Sequence, residues 1–316
     1  MPRPASTTVR KDLTTYAHTI TQDLAPALAL ANLLAPTVPT GGTSGLYNRF
    51  DNTQSFKAYA EVVARRAIGG HAQTIEFLGD TANYNAKAYG LRINIDQQER
   101  DNAGGAVTLL EQGKTRTLMI NCVLSHLAYV VTLIKAAISA VSGKGVWTDP
   151  NVDPIAQINE QIKAVWLATG VIPNNVVFDF GSWCVFSQHP KVLARMPGAD
   201  VAYVTPARIQ GLLVNPNAVI TIAETAILSG GGLGNSTAGR AGILGGSVLV
   251  FFSSRMATQY DPSFMKCFSP AASLFTEVYS YEEQPHFTWY ENDWTCHPVV
   301  VASSLCKRID VTGANQ

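Results

Sequence analysis

The stretch "AYGLRINIDQQERDNAGGAVTLLEQGK", Ala88–Lys114, decides how the rest of the chain is read. In its first half Tyr89, Leu91, Ile93 and Ile95 alternate with Gly90, Arg92, Asn94 and Asp96, the period of a strand with one apolar face. Ile75 and Phe77 alternate with Thr74 and Glu76 in the same way, and "GDTANYNAK" (79–87) between them reads as a turn-rich connection. The pattern predicts an extended two-stranded hairpin over 69–105. An isolated hairpin is marginally stable in water, so this one needs a surface to lie on. In the second half the period changes. Thr108 and Glu111 have the spacing of a capping box. Ile120, Val123, Leu127, Val130, Ile134, Ile138 and Val141 then recur in steps of three and four up to Gly143. A helix over 108–142 would run roughly 50 Å, a spine longer than one small domain needs. Gly113 is the expected place for a bend.

Upstream lies "LLAPTVPTGGTSGLYNRFD" (Leu33–Asp51), where an apolar helical segment meets two prolines and a glycine pair, then Tyr47, Arg49, Phe50 and Asp51. A signal peptide is disfavoured, because the apolar run begins only after Lys11, Asp12, His18 and Asp23. A linker and a gripping arm remain as readings. Downstream, Asp153 with Pro154 starts a helix whose apolar face is Ile155, Ile158, Ile162, Val165 and Trp166, closed by Gly170. "NNVVFDF" (174–180), "AVITIAET" (218–225) and "SVLVFF" (247–252) read as buried strands, and Ser182 and "TPARIQGLL" (205–213) as helix starts. Residues 153–280 thus form an α/β unit. The long strand signals of "FTEVYSYEEQPHFTWYEND" and "HPVVVASSLCKRIDV" cannot close a sheet alone and pair back with the region near the start. The fold class is α+β, a discontinuous domain carrying an inserted α/β domain.

The chain has 316 residues, 47% hydrophobic and 15% charged, with 23 basic and 23 acidic residues. A balanced charge gives no field for nucleic acid, an acidic partner or a membrane surface. The apolar run inside the spine is interrupted by His126 and Lys135, which disfavours a membrane span. Five cysteines stand singly and read as free, buried thiols. "SGGGLGNSTAGRAGILGG" (Ser229–Gly246) has the glycine spacing of a phosphate loop. Arg240 and Ala241 stand where that chemistry needs lysine and a hydroxyl, so it reads as a glycine-rich surface loop. There is no G-x-S-x-G elbow, no H-E-x-x-H and no paired cysteine spacing. Cys296 and His297 are strand neighbours and point to opposite faces. Phe287, Trp289 and Tyr290 lack interleaved basic residues and read as packing. No catalytic residue, metal ligand or cofactor is expected, and the chain reads as not an enzyme.

With no chemistry found, the order of segments becomes informative. An N-terminal helix, the "P-x-V-P…G-x-Y-x-x-F-D" pattern, "ARRAIGG", "QQERDNAGG", the spine, "WTDPNVDPIAQI", "GVIPNNVVFD", "SQHPKVLARM" and "VTPARIQGLL" resemble, in that order, the major capsid proteins of tailed bacteriophages, with the fold first described for a Hong Kong phage. The resemblance implies an N-terminal arm (1–50), a peripheral domain (51–152 and 281–316, with the extended loop at 69–105 and the spine at 108–142) and an axial domain (153–280). It implies self-assembly as pentamers and hexamers into an icosahedral shell around double-stranded DNA, which is contacted without sequence specificity. The shell would be assembled in the host cytoplasm, without a membrane or a cofactor. It leaves room for separate scaffolding, portal and decoration proteins, since the N-terminal part is too short for a built-in scaffold. The expected inter-subunit contacts are Tyr47, Arg49, Phe50, Ile75, Phe77, Tyr89, Leu91 and Ile93. Lys87, near the expected hairpin tip, is the lysine that a cross-link of the kind some relatives form would use. The alternatives are an encapsulin-type nanocompartment shell and, from another class, an α/β enzyme.

Overall fold

Asp96 is where the chain changes period, and a capping box sits there. Asp96 Oδ1 accepts from the Gln98 N–H at 2.7 Å, and Glu99 Oε2 accepts from the Asp96 N–H at 3.3 Å. In this computed structural model the described residues are 7–23, 25–49, 65–66, 68–72, 80–196, 204–228, 239–254, 256–275, 277–284 and 286–314. The first half of the chain runs β1 (Thr8–Val9), α1 (Lys11–Asp23), α2 (Ala25–Leu34), β2 (Thr37–Pro39), β3 (Ser44–Arg49), β4 (Asp80–Asn85), β5 (Lys87–Asp96), α3 (Gln97–Ala103) and α4 (Val107–Ala137). There follow α5 (Pro154–Thr169), β6 (Asn175–Asp179), α6 (Phe180–Ser187), α7 (Pro190–Leu193), α8 (Pro206–Gln210), β7 (Val219–Ala223), β8 (Ala226–Leu228) and β9 (Arg240–Gly242). The chain closes with β10 (Ser247–Phe251), β11 (Met265–Ser269), β12 (Val278–Gln284), β13 (Phe287–Val300) and β14 (Cys306–Asp310).

The long strand β13 organises one sheet of six strands. Its first part lies between β12 and β5, its last part pairs with β11, and β1 and β2 complete the two edges. The apolar face of β5 rests on α4, the spine. One side of α4 buries Leu118, Met119, Cys122, Val123, Leu127, Val130 and Ile134 in a cluster with Tyr290, Trp294 and Cys296 of β13. By length and composition the Gln97–Ala137 stretch passes as a membrane span, and half of its apolar window is buried inside the chain. Its hydrophobicity is accounted for by the core it fills.

The second sheet has four strands in the order β14-β10-β6-β7. Strands β6 and β10 are buried at every position, so both faces are covered. Val177, Leu249 and Phe251 join the spine cluster on one face. On the other, Val176, Phe178, Val248 and Val250 meet Ile155, Ile158 and Ile162 of α5 and Trp183 and Phe186 of α6. Helix α5 starts as its sequence dictates. The Asp153 side chain accepts from the Ala156 N–H at 3.1 Å, Pro154 opens the first turn, and Gly170 closes it at φ 74°. Such an N-cap contributes about 1 kcal/mol.

Several expectations are corrected. Strand β5 pairs with β13, the expected first leg at 74–78 lies outside the described residues, and Asp80–Asn85 of "GDTANYNAK" forms strand β4, paired with β3. The legs of the extension are therefore 44–49 and 80–85, and "SGLYNR" is its outgoing leg. Much of the described part of the expected arm packs into the body of the chain. Leu13, Ala17, Leu30 and Leu34 pack on the spine, while β1 and β2 join the six-stranded sheet. The spine starts at Val107 without a side-chain cap and passes Gly113 as continuous helix. It ends at Ala137, because Val141 donates its N–H to Arg308 O at 2.9 Å and the chain turns extended at Ile138. The unit expected over 153–280 loses β11 to the six-stranded sheet and gains β14. Helix α6 starts before Ser182, whose buried hydroxyl caps nothing. The aromatic stripe splits: Tyr290 faces the core, and Trp289 on the other face lies under Arg92, 4.2 Å from ring to guanidinium.

Candidate assembly interface

The ribbon of β3 and β4 is a two-stranded sheet of its own. Its register runs from Ser44↔Asn85 to Arg49↔Asp80, with the intervening chain largely outside the described residues. One side is anchored by a small aromatic cluster. Tyr84 stacks on Phe268 at 4.9 Å and Tyr47 tilts against it at 5.2 Å, with Val38 and Val301 beneath. Gly45 faces Tyr84 across the ladder, and a Cβ there would come within 2.7 Å of the Tyr84 hydroxyl. Only glycine lets that ring lie flat across the strand.

The expected contact residues therefore divide. Tyr47 is buried in its own chain, while Arg49 is exposed on the ribbon with Leu46, which is 62% exposed. Phe50, Ile75 and Phe77 lie outside the described residues. Tyr89, Leu91 and Ile93 are half-buried against the spine cluster, and Tyr89 stacks on Trp294 at 5.9 Å. Burial, followed by the Tyr129 hydroxyl, pushes the Tyr89 phenol up to about 12. These three residues pack against the chain's own core while keeping part of their surface exposed. Lys87 lies at the root of β5, opposite Cys296, and not at a hairpin tip.

A charged node joins the N-terminal segment to the body. Glu111 accepts from Arg10 at 3.0 Å, from Arg100 at 2.8 Å and from the Tyr290 hydroxyl at 2.7 Å. Arg10 also binds Asp12 with both guanidinium branches, at 3.0 and 2.7 Å. That hydrogen bond holds the Asp12 carboxyl down at about 2. Burial, then Glu111, raises the Tyr290 phenol to about 12. The capping-box reading gave Glu111 a local partner. Its real partners lie up to 179 residues away.

Asp179, at the start of α6, accepts from the Leu244 and Gly246 N–H groups at 3.1 and 3.2 Å, and burial raises its carboxyl against those bonds. The end of the glycine-rich stretch thus already holds an anion of its own chain, where a phosphate loop would hold its ligand. Cys296 meets His126, not His297, with 3.8 Å between Sγ and Nδ1, and both are sealed in the core. Among the described residues no group of three or more His, Cys, Asp and Glu side chains is placed to hold a metal.

No family model matches the chain. The major capsid protein of Pseudomonas phage JBD67 is 24% identical over 193 residues, covering 58% of this chain and 60% of that protein. The match thus spans less than two thirds of the relative's own length. Among solved structures, a phage-related protein from Bordetella bronchiseptica RB50 superposes with a TM-score of 0.69 at 17% identity, over 96% of this chain and 97% of that one. The capsid of cyanophage P-SCSP1u gives 0.54 at 11% identity, over 89% and 87%. The SrpI encapsulin of Synechococcus elongatus PCC 7942 gives 0.55 at 11%, over 92% and 89%. The class the fold defines is α+β, the fold shared with a phage-related protein, a phage capsid and an encapsulin. Within it, the chain has the capsid fold of tailed phages, and a phage major capsid protein is its curated relative.

Proposed function

We propose that this chain is the major capsid protein of a tailed phage, built to assemble in many copies as pentamers and hexamers of an icosahedral shell. One observation carries the reading: the fold of a solved phage capsid covers 89% of this chain, and a relative similar in sequence bears the name major capsid protein. The work of such a protein is contact, not catalysis. The described architecture supplies rigid sheets on a spine and an anchored ribbon that carries exposed Leu46 and Arg49 outward. Phe50, Ile75 and Phe77, in the segment between the ribbon's legs, are the apolar residues proposed to meet a neighbouring copy. Contacts spread over several such surfaces bury far more than the roughly 1,600 Å² of a standard interface. The four-stranded unit is proposed as the axial part and the six-stranded sheet as the peripheral part. The shell's content is double-stranded DNA, held on the inner face without sequence readout, and assembly takes place in the host cytoplasm. The encapsulin likeness supports a second reading, a nanocompartment shell with protein cargo.

Expression of the full chain followed by gradient sedimentation tests the proposal. Fast-sedimenting particles composed of this chain are expected, with nuclease-protected DNA when the other phage components are present. A chain that stays monomeric at every concentration and salt contradicts the shell reading. Particles that instead retain a defined protein cargo favour the nanocompartment.

A further inference from the structure

The seam between the spine and the long strand β13 is pinned at two points. The Tyr290 hydroxyl donates to Glu111 at 2.7 Å, and Cys296 meets His126 with 3.8 Å between Sγ and Nδ1. At roughly 1.5 Å per helical residue, 111 to 126 spans about 22 Å of α4. At roughly 3.3 Å per strand residue, 290 to 296 spans about 20 Å of β13. Helix and strand therefore run side by side in the same direction, and one turn of α4 keeps step with two residues of β13. One turn past Glu111 comes Thr115. The next buried, spine-facing residue of β13 after Tyr290 is Asn292. The two side chains thus come to the same level of the seam, and neither has any exposed surface.

Both carry an oxygen that the protein itself does not satisfy. Asn292 donates its amide to Glu277 O at 2.8 Å, while its Oδ1 has no hydrogen-bond partner among the described residues. The Thr115 hydroxyl has none either. It does not bond back to its own helix, as the exposed Thr117 and Thr132 do to Gly113 O at 3.1 Å and Ala128 O at 2.8 Å. Buried polar groups in folded proteins are almost always hydrogen-bonded, to protein or to ordered water, because an unpaired one keeps its full desolvation cost. One water meets both needs, accepting from the Thr115 hydroxyl and donating to Asn292 Oδ1. A third unpartnered buried atom lies at the Glu111 end of the seam. It is Arg100 Nε, on the residue whose other nitrogen binds both Glu111 and Tyr290 at 2.8 Å, and its N–H is a further donor. Such a set of donors and acceptors is what holds a buried water in place.

We propose that an ordered water is bound inside the chain between Thr115 Oγ1 and Asn292 Oδ1, as the middle rung of a polar seam that holds spine and sheet in one register. Apolar contact is non-directional and tolerates a slip along the helix, whereas hydrogen-bonded rungs are lost by it. The site belongs to the folded chain and is independent of assembly. A structure of the full chain at a resolution that shows ordered solvent tests it. Density is expected within about 3 Å of both oxygens. A direct Thr115–Asn292 hydrogen bond, or two oxygens with no density between them, overturns the proposal. Thr115→Val keeps the shape and removes the hydroxyl, so the density should vanish and the urea midpoint fall by about 0.5 M. Thr115→Ser should keep the density and most of the midpoint. A valine variant that is as stable as the wild type, or that retains the density, contradicts the site.

Discussion

The four-stranded sheet and the β3–β4 ribbon are built from strands of similar length, yet their support is opposite. In the sheet, β6 and β10 are buried at every position between two layers of side chains. The ribbon has one partner layer, the Tyr47–Tyr84–Phe268 cluster, and shows Leu46 and Arg49 to solvent. The sheet is stabilised within one chain, whereas a two-stranded ribbon is marginal without something further to rest on. The difference separates the part of the molecule that holds its own shape from the part whose support is proposed to come from a neighbour.

The strongest way to break that contrast is to attack the sheet. Phe178 is fully buried between Trp183, 5.3 Å away, and Phe186, 5.0 Å away. Phe178→Ala should cost about 3–5 kcal/mol in chemical denaturation. A loss below about 1 kcal/mol would show that the layer is not packed as described. Next comes the node that fastens the N-terminal segment. Glu111→Gln leaves Arg10 and Arg100 without their carboxylate and should cost about 2–3 kcal/mol, less than a fully buried pair because both arginines keep some exposure. Hydrogen exchange should then quicken over 8–34 before it does over 175–179. Equal quickening in both would put the node elsewhere in the hierarchy of stability.

Tyr47→Ala removes a ring from the ribbon's anchor and should act locally. Protection at 44–49 and 80–85 should fall while β6 and β10 keep theirs, and global loss of protection would contradict the ribbon's separateness. A smaller effect is set by pH. The folded Asp12 carboxyl lies at about 2, below its ordinary 3.8, so its contribution is complete above 3.8 and is lost as pH falls through about 2. Its exposure keeps this contribution small. Asp12→Asn should remove that part of the acid limb of a stability–pH curve, and an unchanged limb would rule the pair out as a fastening. Smallest is Gly113→Ala, in a continuous helix with open space around the Cα. It should stabilise by about 0.5–1 kcal/mol in thermal or denaturant melts.

Local signals were legible in the sequence and long-range ones were not. Asp153, Pro154 and Gly170 carry their meaning within one helix, and their reading holds. The alternation in Tyr89–Ile95 correctly marks an apolar face, but no periodicity says what covers it. The cover is the chain's own spine, and the pairing strand comes about 200 residues later. Thr108–Glu111 and Asp96–Glu99 are equally good capping pairs on paper, and the choice between them depends on Arg10 at the far end of the chain. Tyr47 looked like a free contact because Phe268, which buries it, is more than 200 residues away. The full burial of Lys266 in β11 gave no signal at all, since a single lysine in a strand reads as a solvated edge.

The ribbon is proposed to leave its own copy for a neighbour, whereas the four-stranded unit stands on its own. A cryo-electron microscopy reconstruction of the assembled particle tests it most directly. Density for the ribbon and for residues 50–79 is expected on an adjacent copy, with the four-stranded units gathered about five- and sixfold axes. A reconstruction in which that segment folds back entirely onto its own chain would contradict it.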